Sequence, residues 1–524
     1  MAPPECFIDY KLQKRQALLD AGIDPYPYRF DLSHTVDGLL QDFDALERSG
    51  TRVRTAGRIS AIRAMGKATF LDIIDAGHVL QAYVHGTAEG WDQRVLQLLD
   101  IGDWVGACGT LFHTRTAHPT LRIEDLSLLA KSVADVPFGK THGDKTSYSL
   151  ADTEVRRQKR YLDWITNPAS LERFKTASRV LSLIRRFLEG DGFVEVATPA
   201  LEAVYGGAEA RPFTTNVWAL GGQRMYLRVS PELYLKRYIV GGFPKVFTIC
   251  QNFRNEGIDA THNPEFTMME WYEAFSDYED QMARFERLTC HLVESIHGTL
   301  LIEYKGRGID FRPPWPRLRI PELVERCFGL PATEIDRATV EERLASSMEV
   351  AGTADGRSID QLRTELANAS LGALLMQVIE EMLQNDDQLW SPCFLCDHPK
   401  DISPLTKVKR GNPDFVERFE PYIAGMEVGN AYSELTDPVD QYERFAAQKL
   451  QQANSGKGYE DHPLDADFVH AVACGMPPTG GVGYGIDRIL MILLGQESIR
   501  DVIPFPMRRS SFVQQLGTEG QVME

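Results

Sequence analysis

The residues best suited to chemistry stand together in FRNEGIDATHNPEF, residues 253–266. Arg254 and Glu256 lie two apart, His262 follows after a glycine and several short polar residues, and Phe266 closes the stretch. A guanidinium near an aromatic ring suits a nucleotide, with the cation on a phosphate and the ring on a base. An Arg and a Glu two apart on a strand also make an ordinary surface ion pair. A second cluster is GGVGYGIDR, residues 480–488, whose Arg488 stands where an apolar helix begins. Its alternate glycines let another molecule approach the backbone, and a helix N-terminus there suits an anion; the same glycines equally permit close helix–strand packing. Glu420 and Glu427, in ERFEPYIAGMEVGN, read by themselves as two exposed acids near a strand. Cys393 and Cys396 form a C-x-x-C with His398 close by. A zinc site there would need further ligands at suitable spacing, so a buried strand end is the simpler reading.

Elements must hold these groups in place. Apolar runs, KVFTICQNFRNE before and EFTMMEWYEAF after, predict a hairpin with a long polar loop around Arg254. Asn167 and Pro168 open a helix as cap and first residue. Phe174, Ala177, Leu181, Ile184 and Leu188 continue it at helical spacing, and Gly190 and Gly192 stop it. The run FVEVATP then predicts a strand ending at Pro199. Upstream, residues 52–131 alternate five strand-like runs with turns, and a helical GWDQRVLQLLD falls between the third and fourth. That order fits an OB-fold, a small barrel that binds oligonucleotides on one face or serves packing alone. A polar linker, GKTHGDKTSYSLADTE, follows; residues from about 317 to 390 read as a helical, acidic insertion, and 511–524 as a polar tail.

Bulk properties bound the rest. At 524 residues the chain is too long for one core, so two or three domains are expected. Hydrophobic residues at 43% and charged residues at 25% are those of a soluble globular protein. The opening MAPPECFIDYKLQKRQ has no apolar signal region and no apolar run reaches about 18 residues, so no membrane is expected. The eight cysteines are scattered, and a reducing cytoplasm is the simplest home. A net charge of -18 argues mildly against nucleic acid as a partner, yet residues 1–140 carry fifteen basic and eighteen acidic side chains and are near balance.

The helix and strand ending at Pro199, the segment FRNEGIDATHNPEF and the segment GGVGYGIDR resemble, in that order, motifs 1, 2 and 3 of class II aminoacyl-tRNA synthetases. With GGAEARPF, LRVSPELYLKR, HNPEFTMMEWYEAFSDY and EVGNAYSEL, the chain is most similar to the lysyl-tRNA synthetase family over nearly its whole length. The resemblance implies an α+β protein: an N-terminal OB-fold β-barrel (1–140) and a class II catalytic domain (141–510) with a mixed, mainly antiparallel sheet flanked by helices. It places motif 1 at about 173–199, motif 2 at about 245–275 and motif 3 at about 477–495. Cys250 and the loop VYGGAEA depart from many relatives, and GGQRMYLR is one residue longer.

By the same resemblance the substrates are ATP, L-lysine and tRNA(Lys), the metal is Mg2+, and the assembly is a homodimer formed through motif 1. ATP would be held by Arg254, Glu256, His262, Phe266 and Arg488, with Arg254 and Arg488 as the catalytic pair. Lysine would be held by Gly207, Glu232, Arg254, Glu270, Tyr272, Asn430 and Glu434, and Mg2+ by Glu420 and Glu427. In the barrel, Phe70 would stack on an anticodon base and Gln81 hydrogen-bond it, with Glu124 or Asp125 nearby. Acidic residues suit the desolvated ammonium of lysine, whereas an aspartyl enzyme would want an arginine. A protein-lysylating relative would lack the barrel, and a non-catalytic descendant would be expected to lose the motif arginines or metal acids.

Overall fold

The computed structural model describes residues 6–85, 91–138, 140–142, 145–147, 150–208, 210–351, 369–385, 387–454 and 465–507; the expected tail lies outside them. The chain divides into two units, Met1–Lys175 and Thr176–Glu524.

In the first unit the five expected strands form: β1 (Val53–Met65), β2 (Ala68–Asp75), β3 (His78–His85), β4 (Trp104–His113) and β5 (Pro119–Ala130). They close into a barrel in the order β1, β2, β3, β5, β4, with helix Arg94–Leu98 between the third and fourth. Strand alternation decides which side chains fill it. Leu71, Ile73, Leu80, Ala82 and Val84 enter the core, which leaves Phe70, Gln81 and Tyr83 outside it. Within the expected linker, Lys140–His142 and Lys145–Ser147 pair as a short hairpin.

The second unit is built on a nine-stranded sheet. Its order is Arg317–Arg319, Cys393–Cys396, Arg418–Ile423, Gly429–Ser433, Thr479–Tyr484, Glu265–Ala274, Lys245–Phe253, Val194–Glu195, with Met426–Glu427 paired to Arg418–Ile423. Only the two outermost pairings are parallel, so the sheet is mixed and mainly antiparallel, as expected. The Arg254 hairpin forms as read, from Lys245 opposite Glu273 to Phe253 opposite Glu265.

Helix Pro168–Gly190 starts where Asn167 Oδ1 accepts the Ser170 N–H at 3.3 Å. Ala177, Val180, Ile184 and Leu188 then join Trp271, Phe285 and Tyr484 in one core. The strand read from FVEVATP is shorter than expected: Val194–Glu195 pair with Val246 and Phe247, and Val196 adds one N–H bond to Phe247 O at 2.8 Å. Three residues on stands Pro199, which has no N–H to continue the ladder.

Of the expected insertion, Arg317–Arg319 belong to the main sheet, parallel to Cys393–Cys396. Helices Ile320–Phe328, Arg337–Ala351 and Leu371–Asn385 follow, with a separate core of Ile320, Leu323, Val340, Leu344, Leu374 and Ile379. The segment therefore leaves the sheet and returns to it at adjacent strands. The C-x-x-C is that return strand, buried along its length, and both thiols are free. Burial pushes Cys393 up to about 12, and no metal-ligating cluster among the described residues includes either cysteine.

Candidate active site

Three central strands make the floor. Glu270 stands opposite Gly483 and Tyr272 opposite Gly481; on the far side Asn430 and Tyr432 face the same two glycines. Period-two alternation brings these four side chains to one face, and the glycines between them leave it open. A Cβ at Gly481 would collide with Glu434 Oε1 and the Tyr272 ring. The alternate glycines thus make room for side chains and a ligand above the sheet, within a cavity of about 410 Å3.

One end of the cavity is cationic. Arg254, Glu256, His262, Phe266 and Arg488 all line it. Arg254 lies over the Phe266 ring at 5.2 Å, and its Nε is buried with no hydrogen-bond partner among the described residues. Burial lowers its pKa against the pull of Glu427 and Glu256, so an anion arriving here satisfies a donor that the fold leaves unpaired. Arg488 donates to Glu427 O at 2.6 Å and lies 3.0 Å from His262 Nε2. His262 Nδ1 faces the Asp259 carboxylate at 2.8 Å. A carboxylate only accepts, so the proton sits on Nδ1 and Nε2 accepts from Arg488. Asp487, in the first turn of helix Ile486–Leu493, accepts the Thr267 N–H at 2.7 Å and ties that helix to the hairpin.

The other end is acidic. Glu232, Glu270 and Glu434 are 3%, 4% and 1% exposed, so three carboxylates share a desolvated space. Ser230 Oγ donates to Glu270 Oε1 at 2.8 Å and Tyr272 OH donates to Oε2 at 3.3 Å. Burial first, and then Glu232, push Glu270 up to about 8. Burial also drives Glu434 up to about 8, opposed by Lys236 and reinforced by Glu232. Lys236 Nζ lies 2.6 Å from Glu232 Oε1 and 2.5 Å from Glu434 Oε2. Gly207 lines the same end at φ 85°, where a Cβ would meet Ser230 Oγ at 2.9 Å. That backbone conformation and that gap both require glycine.

Glu427 lines the cavity beside Arg488, whereas Glu420 does not line it and is held by Arg418 at 2.6 Å. Burial, and then Glu420, push Glu427 up to about 7, while His398 and Arg418 draw the buried Glu420 carboxylate well below the usual range despite its burial. Glu420 raises the cost of ionising Glu427, and the two carboxylates offer oxygen donors of the kind that suit a hard divalent cation.

On the barrel, Phe70 and Tyr83 are paired across β2 and β3 with ring centroids 5.3 Å apart, and Tyr83 lies 6.0 Å from Phe112. Arg122 sits over Phe112 at 4.8 Å. Gln81, opposite Asp72 on the same strand pair, accepts from Thr120 Oγ1 at 3.0 Å. This aromatic and basic face has the composition of a single-strand stacking platform. Glu124, two residues along the strand from Arg122, is in an ion pair with Arg52 at 3.1 Å.

Comparison with known proteins gives this geometry its context. Residues 152–509 match the model of tRNA synthetases class II (D, K and N), and residues 53–129 match the OB-fold nucleic acid binding domain. The lysine–tRNA ligase of Chloroflexus aurantiacus is 44% identical over 499 residues, covering 95% of this chain and 96% of the relative. That of Clostridium novyi is 42% identical over 498 residues (95% and 93%), and that of Methanoculleus marisnigri 41% over 521 residues (98% and 97%). The chain belongs to the lysine–tRNA ligase family of class II tRNA synthetases.

In this family member the expected ATP and lysine residues all meet at one cavity, save Glu434, which is buried against Gly481 and Tyr272, the latter a lining residue of that cavity. Three residues of the site were not singled out from sequence. Arg418 donates to Glu420 Oε1 at 2.6 Å and to Asn430 Oδ1 at 3.1 Å, tying a metal candidate to a lysine candidate. Its signal was there: Arg418 and Glu420 are two apart on a strand and so share a face. Asp487 and Lys236 carried weaker signals, a charge inside an apolar helix start and a Glu–Lys pair four apart.

Proposed function

We propose that this chain is a lysine–tRNA ligase: it activates L-lysine with ATP and transfers the lysyl group to the 3′ end of tRNA(Lys). What carries the reading is one cavity with a guanidinium whose buried Nε has no partner among the described residues at one end, and at the other the buried carboxylates of Glu232 and Glu270 with that of Glu434 packed behind Tyr272. A lysine carboxylate oxygen attacks the α-phosphorus of ATP, the bond to the bridging oxygen breaks, and pyrophosphate leaves with that electron pair. The terminal ribose hydroxyl then attacks the lysyl carbonyl, and AMP departs.

Arg254 holds both the α-phosphate and the lysine carboxylate, and neutralises charge that grows as they meet. Arg488 and Phe266 hold the adenine, Glu256 accepts from its amino group, and His262 reaches the far phosphates. Glu232 and the Gly207 carbonyl receive the α-amino group and Asn430 the carboxylate, while Glu270, Tyr272 and Glu434 receive the ε-ammonium. Glu420 and Glu427 would hold Mg2+, which when bound screens the phosphate charges. The outer face of the barrel, through Phe70, Gln81 and Glu124, reads the anticodon. The enzyme works in the cytoplasm as a homodimer; no helix among the described residues is long and apolar enough to cross a membrane.

The direct test is pyrophosphate exchange into ATP with each of the twenty amino acids offered singly, without and then with tRNA. Exchange driven by lysine alone is the expected result. Exchange driven by another amino acid would overturn the pocket assignment, and none under either condition would overturn the activity.

A further inference from the structure

Lys236 takes no part in the two chemical steps, yet it lies behind the substrate pocket. Its ammonium is fully buried and touches both Glu232 and Glu434. It stands one turn beyond Glu232 on helix Glu232–Val240, and the ring of Phe468, on helix Ala466–Ala473, lies 5.9 Å from it. Glu434 comes from a different part of the chain, fixed by its N–H on Thr479 O at 2.8 Å. Lys236 therefore links two carboxylates whose own elements do not fix their separation.

Those two carboxylates are the ones assigned to opposite ends of the substrate, so a role for Lys236 rests on lysine being the amino acid that this pocket takes. We infer that Lys236 is a positioning residue for amino-acid specificity, a strut that ties the α-amino acceptor Glu232 to the ε-ammonium acceptor Glu434 and so fixes where the two stand relative to each other. The contacts leave the other side of Glu434 available: Oε1 is buried, has no hydrogen-bond partner among the described residues, and lies where a Gly481 Cβ would be. Without the internal cation, two buried like charges would repel or take up protons, and Glu434 would be free to move. A mobile acceptor follows a shorter substrate inward, whereas a fixed one rejects it. A single methylene is worth roughly 10- to 200-fold in a well-defined pocket, so rigidity at Glu434 is a source of discrimination against ornithine.

The test measures pyrophosphate exchange with lysine and with ornithine for the wild-type enzyme, Lys236→Met and Lys236→Arg, together with KM for ATP and thermal denaturation. Lys236→Met is expected to lower the lysine-to-ornithine ratio of kcat/KM by about tenfold, through KM for lysine, with KM for ATP unchanged. Lys236→Arg, which restores the charge, is expected to recover part of the ratio. A folded Lys236→Met with an unchanged ratio would overturn the strut, as would equal losses with lysine, ornithine and ATP, the mark of a merely structural lysine. Should Lys236→Met fail to fold, Lys236→Gln, which keeps a hydrogen-bond donor but not the charge, decides: a lowered ratio supports the inference and an unchanged one overturns it. A wild-type enzyme that does not exchange with lysine overturns the pocket reading itself, a different failure from an unchanged ratio in the variants.

Discussion

Glu270 holds a proton before its partner arrives. Burial and Glu232 push it up to about 8, so near neutral pH the free carboxyl is mostly protonated, whereas under the assignment proposed above the lysine ammonium pairs with the ionised form. Binding therefore expels a proton. KM for lysine is expected to fall as pH rises toward about 8, by up to about tenfold per unit, and to level off until the substrate ammonium itself deprotonates near ~10.4. Stability without substrate runs the opposite way. Between the ordinary value of 4.5 and about 8 the folded chain holds a proton that the unfolded chain releases, so stability declines with rising pH across that window and is level above it. Kinetics over that range, with KM for ATP as the control, check the first claim; Glu270→Gln should reduce the slope to the part that Glu434, also raised to about 8, contributes. A KM for lysine that is flat with pH would show that Glu270 does not meet the ammonium.

At the scale of elements, strand Thr479–Tyr484 serves the site by having no side chains at Gly481 and Gly483. Gly481→Ala is expected to raise KM for lysine at least tenfold, because its methyl takes the space of Glu434 Oε1 and the Tyr272 ring, and to cost about 1–3 kcal/mol of stability from overpacking. Gly308→Ala, which meets nothing within 4 Å, is the matched control and should leave both unchanged. Thermal melts with lysine kinetics decide it. The elements themselves were largely legible: the hairpin register, the Asn167-capped helix and the five barrel strands follow from period and capping residues. FVEVATP read as longer than it is because apolar alternation does not reveal where an edge strand loses its partner. Lys236 beside Glu434, and Glu124 beside Arg52, were not legible, since only the fold brings those pairs together.

Over the whole molecule, the order barrel, linker, catalytic sheet was readable because each unit has its own period and its own core, the barrel around Leu71 and Leu80, the sheet around Trp271 and Phe285. Separate cores imply separable functions. Every residue lining the substrate cavity belongs to the second unit, so a change on the barrel face should reach tRNA selection without reaching activation. Phe70 is half-buried and outside the barrel core, and Phe70→Ala therefore keeps the fold while removing a stacking surface. A lost base stack is worth about 1–3 kcal/mol, which predicts a fall of roughly 5- to 150-fold in kcat/KM for tRNA charging. Lysine-dependent pyrophosphate exchange without tRNA should stay at the wild-type rate. Leu71→Ala, one residue along but inside the core, makes the contrast: it should cost about 2–5 kcal/mol of barrel stability and show in a melt rather than selectively in charging. Equal losses of charging and exchange in Phe70→Ala would mean that the ring supports the fold, and the anticodon would then have to be read by another part of the barrel.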